Sequence, residues 1–228
     1  MAPQTSRIEP LNALSLPAFR AQFWSHPTHT QTSNYAWHIS LESPSTISSL
    51  DLDQCFELID STSSAQYASS SVGWHPGKKR REMRLPDLKY VLLRRESDGD
   101  GQRLGPVDGF MSFMLTYEDG VEVIYCYEIH LAAPFRGMGL GKFLIGQLER
   151  VGREAGMQKA MLTVFRANEK GRRFNERLGY EEDEFSPRGK RLRGGVFREA
   201  DYIILSKTLV EAVQPSLQGR KSRKRKAG

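Results

Sequence analysis

The stretch Arg136-Gly137-Met138-Gly139-Leu140-Gly141-Lys142 stands where the chain changes period. Residues 121–131 before it read as a strand. After it Leu140, Phe143, Leu144, Leu148, Val151 and Ala155 recur at steps of three and four, an amphipathic helix that stops at Gly156. A strand that turns through alternate glycines into a helix confines the fold to mixed α and β. Glycines permit positive φ and close backbone approach. Their amides, with the helix N-terminus, make a cradle for an anion, and Arg136 and Lys142 add positive charge. A phosphate-bearing ligand is the natural reading; a bare glycine-rich turn is the plain alternative. A Walker A loop and a dinucleotide fingerprint would each need glycine at 142, which is lysine.

The rest of the chain fits one domain. Its 228 residues are enough to bury a sizeable core. Hydrophobic residues make up 39% and charged ones 26%, as expected for a globular body. Strands are predicted at 35–41, 89–95, 107–117, 121–131, 160–165, 180–185 and 202–206. Helices are predicted at 46–71, 78–85, 140–155 and 168–178, and Glu118-Asp119-Gly120 reads as a hairpin turn. Residues 186–195 (SPRGKRLRGG) read as a flexible loop. The order gives an α/β (α+β) domain with a mixed, mostly antiparallel sheet flanked by helices. It is placed at 31–210, after an N-terminal helical or extended segment (1–30) that is either docked or partly disordered.

No apolar run approaches the ~18 residues of a membrane span, and the N-terminus lacks a basic start followed by an apolar block. Cys55 and Cys126 are too few for a disulfide framework or a four-ligand zinc site, and no metal is required. They read as small buried side chains in a reducing compartment. The 33 lysines and arginines exceed the 27 acids by six. Six cations, Arg220, Lys221, Arg223, Lys224, Arg225 and Lys226, lie in the last ten residues, so the body is neutral. The tail, 211–228, is expected to be disordered. Its 219–228 block suits nuclear import or nucleic-acid contact, or is a solubilising end.

The glycine loop matches the Arg/Gln-x-x-Gly-x-Gly/Ala signature of the GCN5-related N-acetyltransferases. MLTVFRANEKGRRFNERLGY resembles that superfamily's closing motif. More closely, YASSSVGW with KKRREM, VIYCYEIHL, KAMLTVFRANE, Phe185-Ser-Pro187 and Asp201–Ser206 resemble the NatD type of N-alpha-acetyltransferase over roughly residues 30–208. The resemblance implies acetyl-CoA as cosubstrate and the N-terminal serine of histones H-4 and H-2A, in Ser-Gly-Arg-Gly tails, as acceptor. It implies a monomer in nucleus and cytoplasm.

By carry-over, Arg136, Gly137, Met138, Gly139, Leu140, Gly141 and Lys142 hold the pyrophosphate, Asn168 contacts the cofactor, and Phe174 packs near the pantetheine. The backbone around Ile129, His130 and Leu131 would polarise the acetyl carbonyl. Asn168 is equally a helix N-cap. Many members carry a general-acid tyrosine seven residues after that asparagine; here it is Asn175.

The α-amine suits a mild base, because its pKa of about 7.7–8.0 leaves a fraction neutral at pH 7. Glu128 is the candidate. Tyr127 or Tyr125 would orient the amine and return a proton to sulfur. On an ideal strand Glu128 points away from both tyrosines, so the site requires the bulge that the family has there. Sheet packing for the tyrosines and a solvated strand face for Glu128 are the plain alternatives.

Tyr67, Trp74 and Tyr202 match groove residues of the family, though each also suits a core. Glu118 matches an acidic position of the hairpin, and Asp119 stands in for a second, occupied by Thr116. These, Glu122 and the 181–184 run (Glu-Glu-Asp-Glu) would meet the cationic tail. Other readings keep the fold with a lysine side chain or a small amine as acceptor, or make the chain a chromatin-binding module acting through its tail.

Overall fold

A computed structural model describes residues 6–24, 28–32, 35–96, 105–191, 193, 195 and 197–210. The basic tail and its nucleic-acid or import contacts lie outside the described residues. In chain order the elements are α1 (Ile8–Asn12), α2 (Leu16–Phe23), β1 (His29–Gln31), β2 (Ala36–Glu42), α3 (Ser49–Ser69), α4 (Pro76–Glu82), β3 (Lys89–Arg95), β4 (Gly109–Glu118) and β5 (Val121–Leu131). There follow α5 (Leu140–Glu154), β6 (Lys159–Phe165), α6 (Glu169–Arg177), β7 (Glu181–Glu182), β8 (Lys190–Arg191), β9 (Phe197–Arg198) and β10 (Tyr202–Thr208).

The main sheet runs β1-β2-β3-β4-β5-β6-β10-β7. Every pairing is antiparallel except β5 with β6, which α5 connects as a parallel crossover. β3 is buried on both faces: Val91 and Leu93 enter one core, Tyr90 and Leu92 the other. The larger core lies under α1, α2 and α5, with Leu144, Leu148 and Val151 of α5 against Ile124, Ala160 and Leu205. Gly152 belongs to that contact: a Cβ there would lie 2.5 Å from Leu209 and 2.6 Å from Ile124. The smaller core lies under α3 and α4, where Leu52, Cys55, Phe56 and Ile59 of α3 meet Tyr90, Leu92 and Phe110.

Local chemistry explains most boundaries. Ser48 caps α3, its hydroxyl accepting from Asp51 N at 3.0 Å, so the helix starts there and not at 46. Asp119 (φ 48°) and Gly120 (φ 82°) form the tight β4–β5 turn, whose two central residues both need positive φ.

Of the two readings of the N-terminal segment, the docked one holds: it carries α1 and α2, whose Ile8, Phe19 and Phe23 are buried in the larger core. Two expectations change. The strand expected at 180–185 pairs only at Glu181–Glu182: Asp183 N still donates to Ile204 O at 2.9 Å, but the chain then turns, Ser186 N donating back to Asp183 O at 2.9 Å. The loop expected at 186–195 carries β8, which pairs with β9 just beyond it in a small hairpin.

Candidate active site

The site forms where β5 and β6 part. Their parallel register runs from Val123–Lys159 to Cys126–Leu162, and both strands then continue, β5 to Leu131 and β6 to Phe165. On the other side of β5 the register slips: Phe113 faces Cys126, but Ser112 faces Glu128. Tyr127 is the extra residue of a β-bulge. Before the bulge Ile124 and Cys126 enter the larger core; after it Ile129 and Leu131 pack there. Tyr127 packs on the smaller core instead, and Glu128 and His130 turn the same way, toward α3 and α4. The bulge thus brings Tyr125, Tyr127 and Glu128 to one face, as the expected site required.

Glu128 is buried at the centre of a polar network. Lys79 Nζ donates to Glu128 Oε1 at 2.8 Å, to Glu82 Oε1 at 2.7 Å and to Tyr67 OH at 2.9 Å. Tyr67 OH in turn donates to Glu128 Oε1 at 3.4 Å. His130 Nε2 donates to Glu128 Oε2 at 2.5 Å, since an ionised carboxylate only accepts, and His130 Nδ1 lies 2.6 Å from Thr62 Oγ1. Withdrawing a charged pair from water costs several kcal/mol per ion, which only such full pairing offsets. Burial alone would raise the Glu128 pKa. The hydrogen bond and charge of His130, and then of Lys79, outweigh it and bring the carboxyl down to about 2. Burial also opposes the Lys79 charge, but Glu128, Tyr67 and Glu82 hold it above the ordinary lysine value. Tyr67 is pushed up to about 12 by burial and then by Glu128.

Aromatic residues wall this network. The Tyr67 ring lies 4.8 Å from Phe165 and 5.4 Å from Trp74. Tyr202 pairs with Phe165 across β10 and β6. Tyr125 and Tyr127 stand 5.6 Å apart, and the Tyr125 hydroxyl lies 2.5 Å from Thr163 Oγ1. Burial, partly countered by Thr163, takes Tyr125 up to about 12. Burial and then Glu118 raise Tyr127. Glu118 and Asp119 sit at the hairpin tip, where burial and the Asp119 charge raise Glu118.

The other expected acids serve the fold. Glu122 accepts from Arg7 N at 2.9 Å, Glu182 pairs with Arg166 at 3.7 Å, and Glu184 and buried Asp183 pair with Lys159.

The glycine loop opens α5. Gly137 (φ 79°) and Gly139 (φ 85°, the N-cap) are left-handed, and a Cβ on either would meet no atom within 4 Å. That leaves open space over the helix N-terminus, as an anion cradle requires. Met138 and Leu140 turn inward to the core, while Arg136 and Lys142 are exposed, Arg136 Nε donating to Leu131 O at 3.0 Å. At Gly141 a Cβ would come 3.1 Å from Phe174, so glycine lets that ring close over the first turn. Asn168 caps α6, accepting from Gly171 N at 2.9 Å. Asn175 is buried, donates to Gly171 O at 2.9 Å, and as an amide has no acidic proton for a leaving group.

The sequence profile of the acetyltransferase (GNAT) family matches residues 57–180. The chain belongs to that family. GNAT enzymes use acetyl-CoA, and the splayed strands and open glycine loop fit it. N-alpha-acetyltransferase 40 of Saccharomyces cerevisiae is 33% identical over 155 residues, 60% of this chain and 53% of that protein. The chain therefore spans about half the length of that curated relative. Among solved structures, Arabidopsis thaliana NAA60 in complex with acetyl-CoA superposes with a TM-score of 0.53 at 14% identity, covering 75% of this chain and 98% of that one. A GNAT acetyltransferase from Listeria monocytogenes gives 0.51 at 16%, covering 79% and 99%. At these identities the likeness is one of fold: a GNAT sheet, mostly antiparallel, with flanking helices.

Lys79 and Thr62 were missed from the sequence, and His130 was expected to act through its backbone alone. Two signals were available. Lys79 stands four residues before buried Met83, one helical turn away. Thr62 continues the Cys55–Ile59 stripe of α3, so its hydroxyl, which donates to Leu58 O at 2.6 Å, also turns toward the sheet and lies 2.6 Å from His130 Nδ1.

Proposed function

We propose that this GNAT enzyme transfers the acetyl group of acetyl-CoA to the α-amine of an N-terminal serine, in cationic Ser-Gly-Arg-Gly tails such as those of histones H-4 and H-2A. The observation that carries the reading is Glu128, a buried carboxylate on the face where the strands part, surrounded by three donors, Lys79, Tyr67 and His130. Similarity to N-alpha-acetyltransferase 40 supports it.

When bound, acetyl-CoA supplies the activated acyl group. The open amides of Gly137 to Gly141 and the start of α5 receive its phosphates, with Arg136 and Lys142 beside them. Along Ile129, His130 and Leu131 the amides that point away from β4, on the edge where β6 has parted, would meet the acyl oxygen. Glu128 accepts a hydrogen bond from the incoming amine and receives its proton. A carboxylate held near 2 is a weak base. It suits an α-amine, already partly neutral at pH 7, and not a lysine ε-amine with a pKa of about 10.4. Tyr125 and Tyr127 lie on the same face as Glu128 and would orient the amine. Raised tyrosine pKa values keep both hydroxyls protonated and able to donate to the departing sulfur. Tyr67, Trp74 and Tyr202 wall the entry, and Glu118 and Asp119 face the arginine and lysine of the tail.

The test is CoA release from acetyl-CoA with a Ser-Gly-Arg-Gly-Lys peptide, beside the same peptide with its N-terminus blocked. Turnover of the free peptide alone is expected. Equal turnover of both would make lysine the acceptor and sink the proposal.

A further inference from the structure

Lys79 belongs to the exposed-looking run Lys78-Lys79-Arg80-Arg81, yet it is buried, and its three N–H protons each have an acceptor: Tyr67 OH, Glu82 Oε1 and Glu128 Oε1. Its Nζ also lies 4.8 Å from the Tyr67 ring centre. One side chain on α4 thus ties β5 to the end of α3. Without it, Glu128 would keep only the His130 and Tyr67 hydrogen bonds, and the Tyr67 hydroxyl would lose the group that sets its orientation.

We infer that Lys79 is a positioning residue that fixes Glu128 and Tyr67 in one arrangement and keeps Glu128 ionised. The inference rests on the proposed meeting of Glu128 with the acceptor amine. The groups that face Glu128 are Lys79 and Glu82 from α4, Tyr67 from α3, His130 and Cys126 from β5, and Tyr90 from β3. Of these Lys79 and His130 favour its charge, whereas Glu82 opposes it. Removing Lys79 leaves a buried carboxyl whose desolvation is less fully offset, so its titration moves upward.

Lys79→Met, Lys79→Gln and Lys79→Arg are compared with the wild type by two readouts. The first is the carbon-13 carboxyl signal of Glu128 against pH, which needs no substrate. In the wild type and Lys79→Arg it is expected to stay ionised down to about pH 4. In the two neutral variants the inflection is expected to move upward by about one pH unit or more, His130 still holding part of the charge. Lys79→Gln retains amide donors and serves if Lys79→Met does not fold. The second readout is steady-state turnover of the Ser-Gly-Arg-Gly-Lys peptide. The neutral variants are expected to lose kcat on the order of 100-fold, the scale of an ~1 Å misplacement of a reacting group. Their acetyl-CoA KM should stay within about twofold, and Lys79→Arg should recover about tenfold or more of the loss.

A merely structural lysine would lower the melting temperature without moving the Glu128 inflection. That result, or neutral variants with wild-type kcat and pH profile, would overturn the inference. If the wild type fails on the peptide, the proposed acceptor is at fault, and the carboxyl titration still decides whether Lys79 governs Glu128.

Discussion

On the face of the sheet under α1, α2 and α5, side chains from β2 to β6 and β10 join one nearly continuous apolar layer. On the face under α3 and α4 the apolar layer reaches Phe110, Tyr127 and Trp74, and there a chain of polar groups begins: Thr62, His130, Glu128, Lys79 and Tyr67. The same strands supply both layers. One gains stability from area removed from water. The other spends part of that gain to keep charges in fixed positions, which is what chemistry on a small amine needs. Stability and activity should therefore respond separately to substitutions on the two faces.

The largest separation is expected from a matched pair. Glu128→Gln should lower kcat about 100-fold or more, and because it leaves Lys79 buried without its carboxylate it should also cost about 3 kcal/mol of unfolding free energy. Leu148→Ala, in the apolar layer, should cost about 3 kcal/mol of unfolding free energy, with kcat at low temperature within about twofold. Denaturant unfolding and turnover assays on both variants would show it, and a Leu148→Ala enzyme that lost turnover along with stability would break the comparison.

Acid provides the next test. The Glu128 carboxyl is depressed in the folded state, from 4.5 to about 2. Its contribution is thus fully present above the unfolded value and lost as pH falls through the folded one. About 3 kcal/mol is expected to disappear between about pH 5 and pH 2. The same unfolding series on Glu128→Gln should be flatter by that amount, and equal slopes would contradict the pairing.

A smaller effect is expected at the glycine loop. Gly139 has φ 85°, and a Cβ there meets nothing, so Gly139→Ala carries only backbone strain of about 1 kcal/mol. It should raise the acetyl-CoA KM about fivefold with the peptide KM unchanged. An unchanged acetyl-CoA KM would remove the loop from cofactor binding.

Much of this was readable beforehand where a local rule dominates. The limits of β3 and β5 and the start of α5 match expectation because a turn, a glycine cluster or a change of period marks them. The glycine loop was legible for the same reason. Glu128 was legible only through family resemblance, since strict alternation places it away from Tyr125 and Tyr127. Lys79 was hidden because a seven-residue helix dense in cations reads as solvated on every side. What turns one of those lysines inward is a carboxylate far along the chain, and no local pattern encodes that pairing. The helices of the first thirty residues were hidden likewise, because α1 and α2 are stabilised by burial of Ile8, Phe19 and Phe23 against distant strands.

The extra residue at Tyr127 works as a half-step in the phase of a repeating pattern. Upstream of it the even-numbered positions of β5 belong to the apolar side; downstream they belong to the acceptor side, and the odd ones trade places with them. A single strand can therefore deliver Ile124 and Cys126 to one neighbour and Glu128 and His130 to the other without crossing the sheet. Point substitutions along β5 act on one side at a time. The loss or gain of one residue would exchange the two sides together, so the length of this strand is under tighter constraint than the identity of most residues in it.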